Sequence, residues 1–289
     1  WPLTVRKEGH TEHGRPRQPS TMHTYTLHHG SRPLLISVPH AGTEVPRELL
    51  RRFSLAAQGL PDTDWHVDKL YGFAGEIGAS VLVANYSRYV VDLNRSPDSQ
   101  PLYERAPTSA VCPTHTFKGD AIYLEDEPAA LEVQERVAEY WRPYHEALEQ
   151  ELQRLQAQYG WALLWDAHSV ASEVPGLFAG VLPEFNLGTR DDAACPRAIA
   201  DALLDLLTRD GKYGAVLNGR FNGGYITLHY GRPAEGRYAV QLELAQRVYM
   251  NEATPLQWDE AHADSAASMI SRLLEAYLKQ GLVPPPHPP

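Results

Sequence analysis

The segment Ala162-Leu163-Leu164-Trp165-Asp166-Ala167-His168-Ser169 decides the fold of this 289-residue chain, because a short apolar run ends there in polar residues. A run of this length is typical of a buried strand. Residues Leu34–Val38 repeat the pattern and are followed by Pro39 and His40. In sheets with parallel strands, ligands bind beyond the carboxyl ends of the strands. The two runs therefore predict a functional site at one edge of a sheet.

The rest of the chain alternates between predicted strands and helices. This favours an α/β fold with a mixed, largely parallel sheet flanked by helices on both faces. The predicted strands are residues 34–38, 80–85, 88–93, 162–166, 178–182, 215–218 and 239–244. The predicted helices are residues 46–57, 66–76, 127–159 with an interruption at Pro143, 196–208 and 259–278.

Length and composition predict one domain that acts on small solutes. A chain of 289 residues with 43% hydrophobic content can form one large core. The net charge of -10 argues against a nucleic-acid or anionic-membrane partner, because phosphate binding needs a basic face. No apolar run approaches the roughly 20 residues of a membrane span, and no signal peptide is recognised. Cys112 and Cys195 indicate two unpaired thiols in a reducing cytoplasm.

The two ends of the chain differ from its body. Residues 1–21 contain no Met and little apolar periodicity, whereas a patterned strand region follows Met22. We therefore expect residues 1–21 to be a non-native or disordered leader and residues 22–283 to form a single catalytic domain. The five prolines in residues 284–289 predict an extended tail.

His40 and His168 follow two buried strands, which suits a divalent metal. A carboxylate is the natural third ligand if a fourth position is to remain open for water. Asp64 is the preferred candidate, because residues 61–68 place three carboxylates and an imidazole in a short span. An aspartate there is also suited to capping a helix. The other candidates for the third ligand are Asp62, Asp68 and Glu44.

Glu243 lies in a predicted strand whose alternation places it on one face with Gln241. A buried acid is costly unless it is paired or catalytic. Next to a zinc-bound water, Glu243 would serve as general base and then as general acid. The alternative is a salt bridge to Arg220 or Arg237.

The predicted strand 88–93 leads into Asn94 and Arg95. The planar guanidinium of Arg95 matches a carboxylate in bidentate fashion, which predicts a substrate that carries a carboxylate. The alternative is a surface pair between Asp92 and Arg95, which contributes little. Residues 219–227, with the pair Gly223 and Gly224, have the polar spacing of a substrate loop.

Seven segments together give the chain a family resemblance that extends over nearly all of residues 25–275. It resembles the N-formylglutamate amidohydrolases, also called N-formylglutamate deformylases, of histidine degradation. That family is similar in fold to zinc carboxypeptidases and aspartoacylases. The segments are SVPHAG at 37–42, DTDWHVD at 62–68, YSRYVVDLNR at 86–95, CPTHTF at 112–117, DAHS at 166–169, FNLGT at 185–189 and QLEL at 241–244.

The resemblance implies an enzyme that hydrolyses N-formyl-L-glutamate to formate and L-glutamate with one Zn²⁺ ion. The implied metal ligands are His40, Asp64 and His168. Glu243 is the implied base, and Arg88 would stabilise the oxyanion. The implied substrate-binding residues are Asn94 and Arg95 for the α-carboxylate, Arg220 for the side-chain carboxylate, and Gly223, Gly224 and Thr227 in the glycine loop.

Two positions depart from the family pattern. Asn222 stands where Lys is usual, and Leu228 stands where Arg is usual. Both departures remove positive charge from a site expected to hold a dianion. One alternative is therefore a zinc amidohydrolase for another N-acyl amino acid or a small peptide. A more distant alternative is a ligand-binding protein that keeps the fold without catalysis.

Overall fold

The computed structural model describes residues 23–98, 110–253 and 257–281, which form a seven-stranded sheet between helices. The predicted mixed α/β class is confirmed. The strands are β1 (Tyr25–His28), β2 (Leu34–Val38), β3 (Ser80–Ala84), β4 (Ala162–Val170), β5 (Phe185–Gly188), β6 (Ala215–Leu217) and β7 (Arg237–Ala245). The helices are α1 (Arg47–Leu50), α2 (Leu55–Gln58), α3 (Val67–Leu70), α4 (Ala130–Arg136), α5 (Arg142–Tyr159), α6 (Arg197–Asp210), α7 (Tyr225–Tyr230) and α8 (Glu260–Gly281).

The strands lie in the order β1-β3-β2-β4-β7-β5-β6. Strand β2 is parallel to β3 and β4, β4 is parallel to β7, and β5 is parallel to β6. Strands β1 and β3 are antiparallel, as are β5 and β7. The carboxyl ends of β2, β4 and β7 therefore meet at one edge. Every residue of β4 and β7 is buried, as expected for central strands covered on both faces.

Helices cover both faces of the sheet. Alternate strand residues point to opposite faces, so Trp165 of β4 packs toward α8, where its ring centroid lies 5.9 Å from that of Tyr277. Leu164 belongs to the other core cluster, with Tyr144 of α5. His168 lies on the same face of β4 as Leu164. One strand thus provides both core contacts and a site residue.

Two predicted strands are wrong. In residues 88–93, Val90 N donates to Ser87 O and Asp92 N to Val111 O, so the chain turns instead of joining the sheet. Tyr89 and Val90 are buried in a separate apolar cluster that includes residues of α1 and α2. Residues 178–182 also form a loop, whereas β5, absent from the predicted strands, completes the sheet. A short apolar run shows burial but does not distinguish a strand from a buried loop.

The predicted helices are broken where the chain turns. Residues 46–57 form α1 and α2, and residues 66–76 form α3 and a 3₁₀ turn at Gly72–Gly75. Residues 127–159 contain α4, a π-helical segment at Val137–Trp141 and α5. The interruption precedes Pro143, which lies in the first turn of α5, where a missing N–H costs little.

Both cysteines are buried and unpaired, so the prediction of two free thiols is confirmed. Among the described residues, no helix has the length and apolar content needed to cross a bilayer. The predictions for residues 1–21 and 284–289 lie outside the described residues.

Candidate metal and catalytic site

Three side chains from distant parts of the chain meet at the carboxyl edge of the sheet. His40 follows β2, His168 lies near the end of β4, and Asp64 lies in the loop before α3. Their candidate ligand atoms all lie within 4.8 Å of one another, and all three residues are buried. The backbone holds Asp64 in place, because its N–H donates to His40 O at 3.1 Å. Its Oδ2 also accepts from Ser169 N at 3.2 Å.

The Nε2 atom of each histidine lies within hydrogen-bond distance of a carboxylate. His40 Nε2 lies 2.8 Å from Asp92 Oδ1, and His168 Nε2 lies 3.1 Å from Asp166 Oδ2. The two Nδ1 atoms face Asp64 Oδ2, at 3.8 Å for His40 and 2.9 Å for His168. His40 Nδ1 is buried without a hydrogen-bond partner. Metal-binding histidines commonly bond their second nitrogen to a carboxylate, so this donor set fits a divalent ion.

The electrostatics of His40 also suit a ligand. Burial lowers the pKa of this imidazole, and the charge of Arg88 adds to the effect against the opposing influence of Asp92 and Asp64. A lowered pKa favours the neutral imidazole, which is the form that binds metal.

The other candidates for the third ligand have different surroundings. Asp62 Oδ2 accepts from Tyr89 Oη at 2.6 Å and from Phe117 N at 2.9 Å. Asp68 and Glu44 are exposed. The cap of α3 is His66, in a left-handed conformation and without a side-chain cap bond, so neither aspartate caps this helix. Of the described acids, Asp64 is the one that joins both histidines.

Asp92 and Arg88 form a buried ion pair behind His40. Arg88 Nη2 donates to Asp92 Oδ2 at 2.7 Å, while Asp92 Oδ1 also accepts from Asn94 N at 2.9 Å. Although burial raises the pKa of Asp92, Arg88 and His40 outweigh it and hold the pKa well below its usual range. The alternative interpretation, in which Asp92 and Arg95 form an ion pair on the surface, is therefore wrong. Arg88 Nη1 lies 3.8 Å from Asp64 Oδ1, so its cation also faces the cluster of His40, Asp64 and His168.

Glu243 lies beside His168 because β4 and β7 pair in register. His168 aligns with Glu243, and Asp166 aligns with Gln241. Glu243 is only 7% exposed, and its Oε2 accepts from Gln241 Nε2 at 3.3 Å. Burial raises the pKa of Glu243 to about 8 against the opposing charges of His168 and Arg88.

The alternative salt bridge of Glu243 is not formed among the described residues. Arg237 instead pairs with Glu149 at 2.9 Å. Arg220 is exposed, with its guanidinium carbon 5.8 Å from the ring centroid of Phe221. A buried, protonatable carboxyl beside the histidines has the properties of a general base.

The predicted substrate loop, residues 219–227, is attached to β7 and to Asn94, and its last three residues form the start of α7 instead of loop. Gly224 N donates to Gln241 Oε1 at 2.7 Å, and Ile226 N donates to Asn94 Oδ1 at 2.8 Å. A Cβ on Gly224 would lie 2.3 Å from Asn94 Nδ2, so only glycine allows this approach. Thr227 is fully buried, with its hydroxyl 3.4 Å from Asp166 Oδ2.

Asn94 and Arg95 occupy different environments. Asn94 Nδ2 lies 2.9 Å from His168 Nε2 and 3.2 Å from Asp166 Oδ2, so Asn94 connects the loop to the histidine. Arg95 is half-buried, and its Nη1 donates to Asn94 O at 3.0 Å. The structure thus brings the predicted clamp residues to the edge that carries the histidines.

Sequence reasoning missed the roles of Asp92, Asp166 and Gln241. For two of them a signal is present in the alternation of strand residues, because Asp166 shares a face with His168 and Gln241 shares a face with Glu243. No local pattern identifies Asp92, because its partner His40 lies 52 residues away.

Comparison with known proteins confirms the family resemblance seen in the sequence. A model of the N-formylglutamate amidohydrolase family matches residues 32–250. An N-formylglutamate deformylase of Pseudomonas putida is 46% identical over 257 residues, which cover 89% of this chain and 96% of that protein. An N-formylglutamate deformylase of Pseudomonas aeruginosa is 49% identical over 253 residues, which cover 87% and 95%.

Solved structures support the fold. An N-formylglutamate amidohydrolase from Ralstonia eutropha matches with a TM-score of 0.72 and 24% identity, over 90% of this chain and 97% of that one. A gene product from Agrobacterium tumefaciens matches with a TM-score of 0.66 and 19% identity, over 88% and 95%. Both similarities extend across almost the whole sheet and its helices.

Proposed function

Because this chain belongs to the N-formylglutamate amidohydrolase family, we propose that it hydrolyses N-formyl-L-glutamate to formate and L-glutamate at the site around His40, Asp64 and His168. One observation carries this assignment to the site. The unpartnered Nδ1 of His40 and Nδ1 of His168 face the same oxygen of Asp64, and Glu243 lies on the neighbouring strand.

We propose that these three residues hold one divalent ion, with Zn²⁺ preferred. Two imidazoles and one carboxylate form a donor set suited to zinc and leave a position for water. Asp92 and Asp166 would fix the orientation of the two rings through their outer nitrogens. A bound divalent ion would act as a Lewis acid on the formyl carbonyl and make the attacking water more acidic.

Glu243 is the proposed general base and acid. Its carboxylate accepts a proton from the attacking water and later donates that proton to the leaving amine nitrogen. The bond that breaks is the formyl C–N bond, and the water oxygen becomes part of formate. Gln241 donates to Glu243 Oε2 and so orients this carboxylate. Burial raises the pKa of Glu243 toward neutral pH, which suits a group that first accepts a proton and then donates it.

The substrate's α-carboxylate is proposed to bind Arg95 and Asn94, with Gly223, Gly224 and Thr227 shaping the loop around it. Arg220 stays the sequence-based candidate for the side-chain carboxylate, and Arg88 stays the candidate for oxyanion stabilisation. Three further points stay predictions. They are the similarity in fold to zinc carboxypeptidases and aspartoacylases, the role in histidine degradation, and the cytoplasmic location.

Formate release tests the proposed reaction. Purified protein loaded with Zn²⁺ should release formate from N-formyl-L-glutamate in proportion to its metal content, and a chelator should stop the release. A panel of N-formyl, N-acetyl and N-succinyl amino acids tests the alternative amidohydrolase. Faster turnover of another member of that panel would replace the proposed substrate. Absence of turnover with every compound would favour the non-catalytic binding protein.

A further inference from the structure

The loop after β5 has an unusual backbone. Arg190, Asp191 and Asp192 follow one another with φ values of 56°, 52° and 73°. Non-glycine residues rarely adopt this left-handed region, because the Cβ atom then crowds the backbone. Two hydrogen bonds with Asn218 fasten the start of the loop. Thr189 N donates to Asn218 Oδ1, and Asn218 Nδ2 donates to Thr189 Oγ1. The strained backbone is therefore held in one conformation.

This backbone places the Arg190 side chain on the glycine loop. Arg190 N donates to Asn222 O at 2.6 Å. Its Nη1 donates to Gly223 O at 3.2 Å and lies 3.4 Å from Asn222 Oδ1. A Cβ on Gly223 would come within 3.1 Å of the Arg190 Cγ and Cδ atoms, so the arginine stem lies across this glycine. The guanidinium thus lies against Asn222 and Gly223 of the glycine loop.

The glycine loop connects Arg190 with the catalytic base. Gly223 accepts from Arg190, the next residue Gly224 donates to Gln241, and Gln241 donates to Glu243. Gly224 also contacts Asn94, which is part of the proposed α-carboxylate site. In a glutamyl substrate the α-carbon bears the first carboxylate, and the carbon of the second carboxylate lies three bonds away from that α-carbon. With the α-carboxylate at Asn94, the adjoining part of the glycine loop is where we expect a cation for the second carboxylate.

We propose that Arg190 is a specificity-determining residue that binds the side-chain carboxylate of the N-formyl amino acid. This inference rests on the proposed function. Arg190 places a positive charge beside Asn222 and Gly223, although Asn222 Nδ2 also donates to the Asp191 carboxylate at 2.9 Å. Its half-buried guanidinium presents a planar fork suited to a carboxylate, whereas Arg220 is exposed over Phe221.

The test compares two substrates that differ only in the second carboxylate. N-formyl-L-glutamine replaces it with a neutral amide of the same size. Arg190→Asn removes the cation but keeps a residue that tolerates the left-handed backbone, so the loop is expected to fold. KM from formate release and the dissociation constant from calorimetry are measured for both substrates, using the zinc-loaded full chain.

Arg190→Asn should raise KM and the dissociation constant for N-formyl-L-glutamate about 10- to 100-fold, the size expected for a hydrogen-bonded ion pair. The values for N-formyl-L-glutamine should change less than about threefold. Arg209→Asn, which makes the same charge change on exposed α6, should change neither substrate. Equal losses on the two substrates would overturn the proposal, as would a selective loss in Arg220→Asn without one in Arg190→Asn.

A double variant that moves the positive charge from residue 190 to residue 222 tests where the side-chain carboxylate binds. Adding Asn222→Lys to Arg190→Asn should restore selectivity for glutamate over glutamine, because the cation returns to the same contact. A double variant without restored selectivity would contradict binding at Asn222. Failure of the proposed function gives a different result: wild type would release no formate, while calorimetry would still report whether Arg190 distinguishes the two ligands.

Discussion

The proposed metal side and the proposed carboxylate-recognition side of this site, called below the metal side and the recognition side, are built differently. The metal side comes from the ends of β2 and β4 and from Asp64, all buried and fastened by bonds to buried carboxylates. The recognition side comes from loops, in which Arg95 and Arg190 are half-buried and Arg220 is exposed. Ligands on rigid central strands hold their geometry precisely, whereas loops tolerate change. Asn222, one of the two positions expected to depart from the family pattern, lies in the glycine loop on this recognition side.

The largest expected effect comes from removing a metal ligand. His40→Ala and His168→Ala should each reduce bound metal from one ion per chain to background, because two remaining protein ligands are insufficient. Turnover should fall by more than the roughly 10- to 100-fold that loss of an outer partner costs. Metal analysis of the purified variants provides the check. Full metal content in both variants would remove the metal site from this edge.

Glu243→Gln should separate chemistry from metal binding. The amide keeps the size of the side chain and its contact with Gln241 but cannot accept a proton, so turnover should drop roughly 10²-fold or more. Metal content and the circular dichroism spectrum should remain those of wild type. Near-normal turnover would make Glu243 a structural residue.

The same residue predicts a pH dependence. Glu243 must be ionised to accept a proton, so kcat/KM should rise as pH increases through its pKa. Burial raises that pKa to about 8, and a cation at His40, Asp64 and His168 would lower it again. We therefore expect the acid limb to reach its plateau by about pH 8. Rates measured from pH 5 to pH 9 should lose this limb in Glu243→Gln, and an unchanged limb would assign it to another group.

Arg95→Lys tests the recognition side and should have a smaller effect. The substitution keeps the charge but loses the bidentate fork, so kcat/KM for N-formyl-L-glutamate should fall by about 1.5 to 3 kcal/mol in transition-state stabilisation. N-formyl-L-isoglutamine, which has an amide in place of the α-carboxylate, should be turned over almost equally by wild type and variant. A loss of the same size on both compounds would indicate that Arg95 supports the fold.

The smallest effect is expected at Leu228. This side chain is 44% exposed on α7, so Leu228→Arg should change kcat/KM for N-formyl-L-glutamate by less than about threefold. The same steady-state assay provides the measurement. A tenfold gain would show that residue 228 adjoins the bound substrate and would extend the recognition side to α7.

Local sequence patterns determined the α/β class and the two strand ends that carry histidines. Short apolar runs ending in polar residues identified β2 and β4, because burial of a central strand leaves a continuous apolar run. Strand alternation also placed Glu243 on one face with Gln241. These features depend on residues close together in the chain, so they are visible without the fold.

Tertiary structure decided the pairings between distant residues. Asp64 meets His168 across 104 positions, and Asp92 meets His40 across 52. The predicted strand at 88–93 was wrong because its apolar residues are buried in two core clusters without joining the sheet. Arg190 is brought to Asn222 only by the left-handed backbone after β5. Burial is encoded locally by hydrophobic residues, but the partner of a buried charge depends on which strands and loops become neighbours in the folded chain.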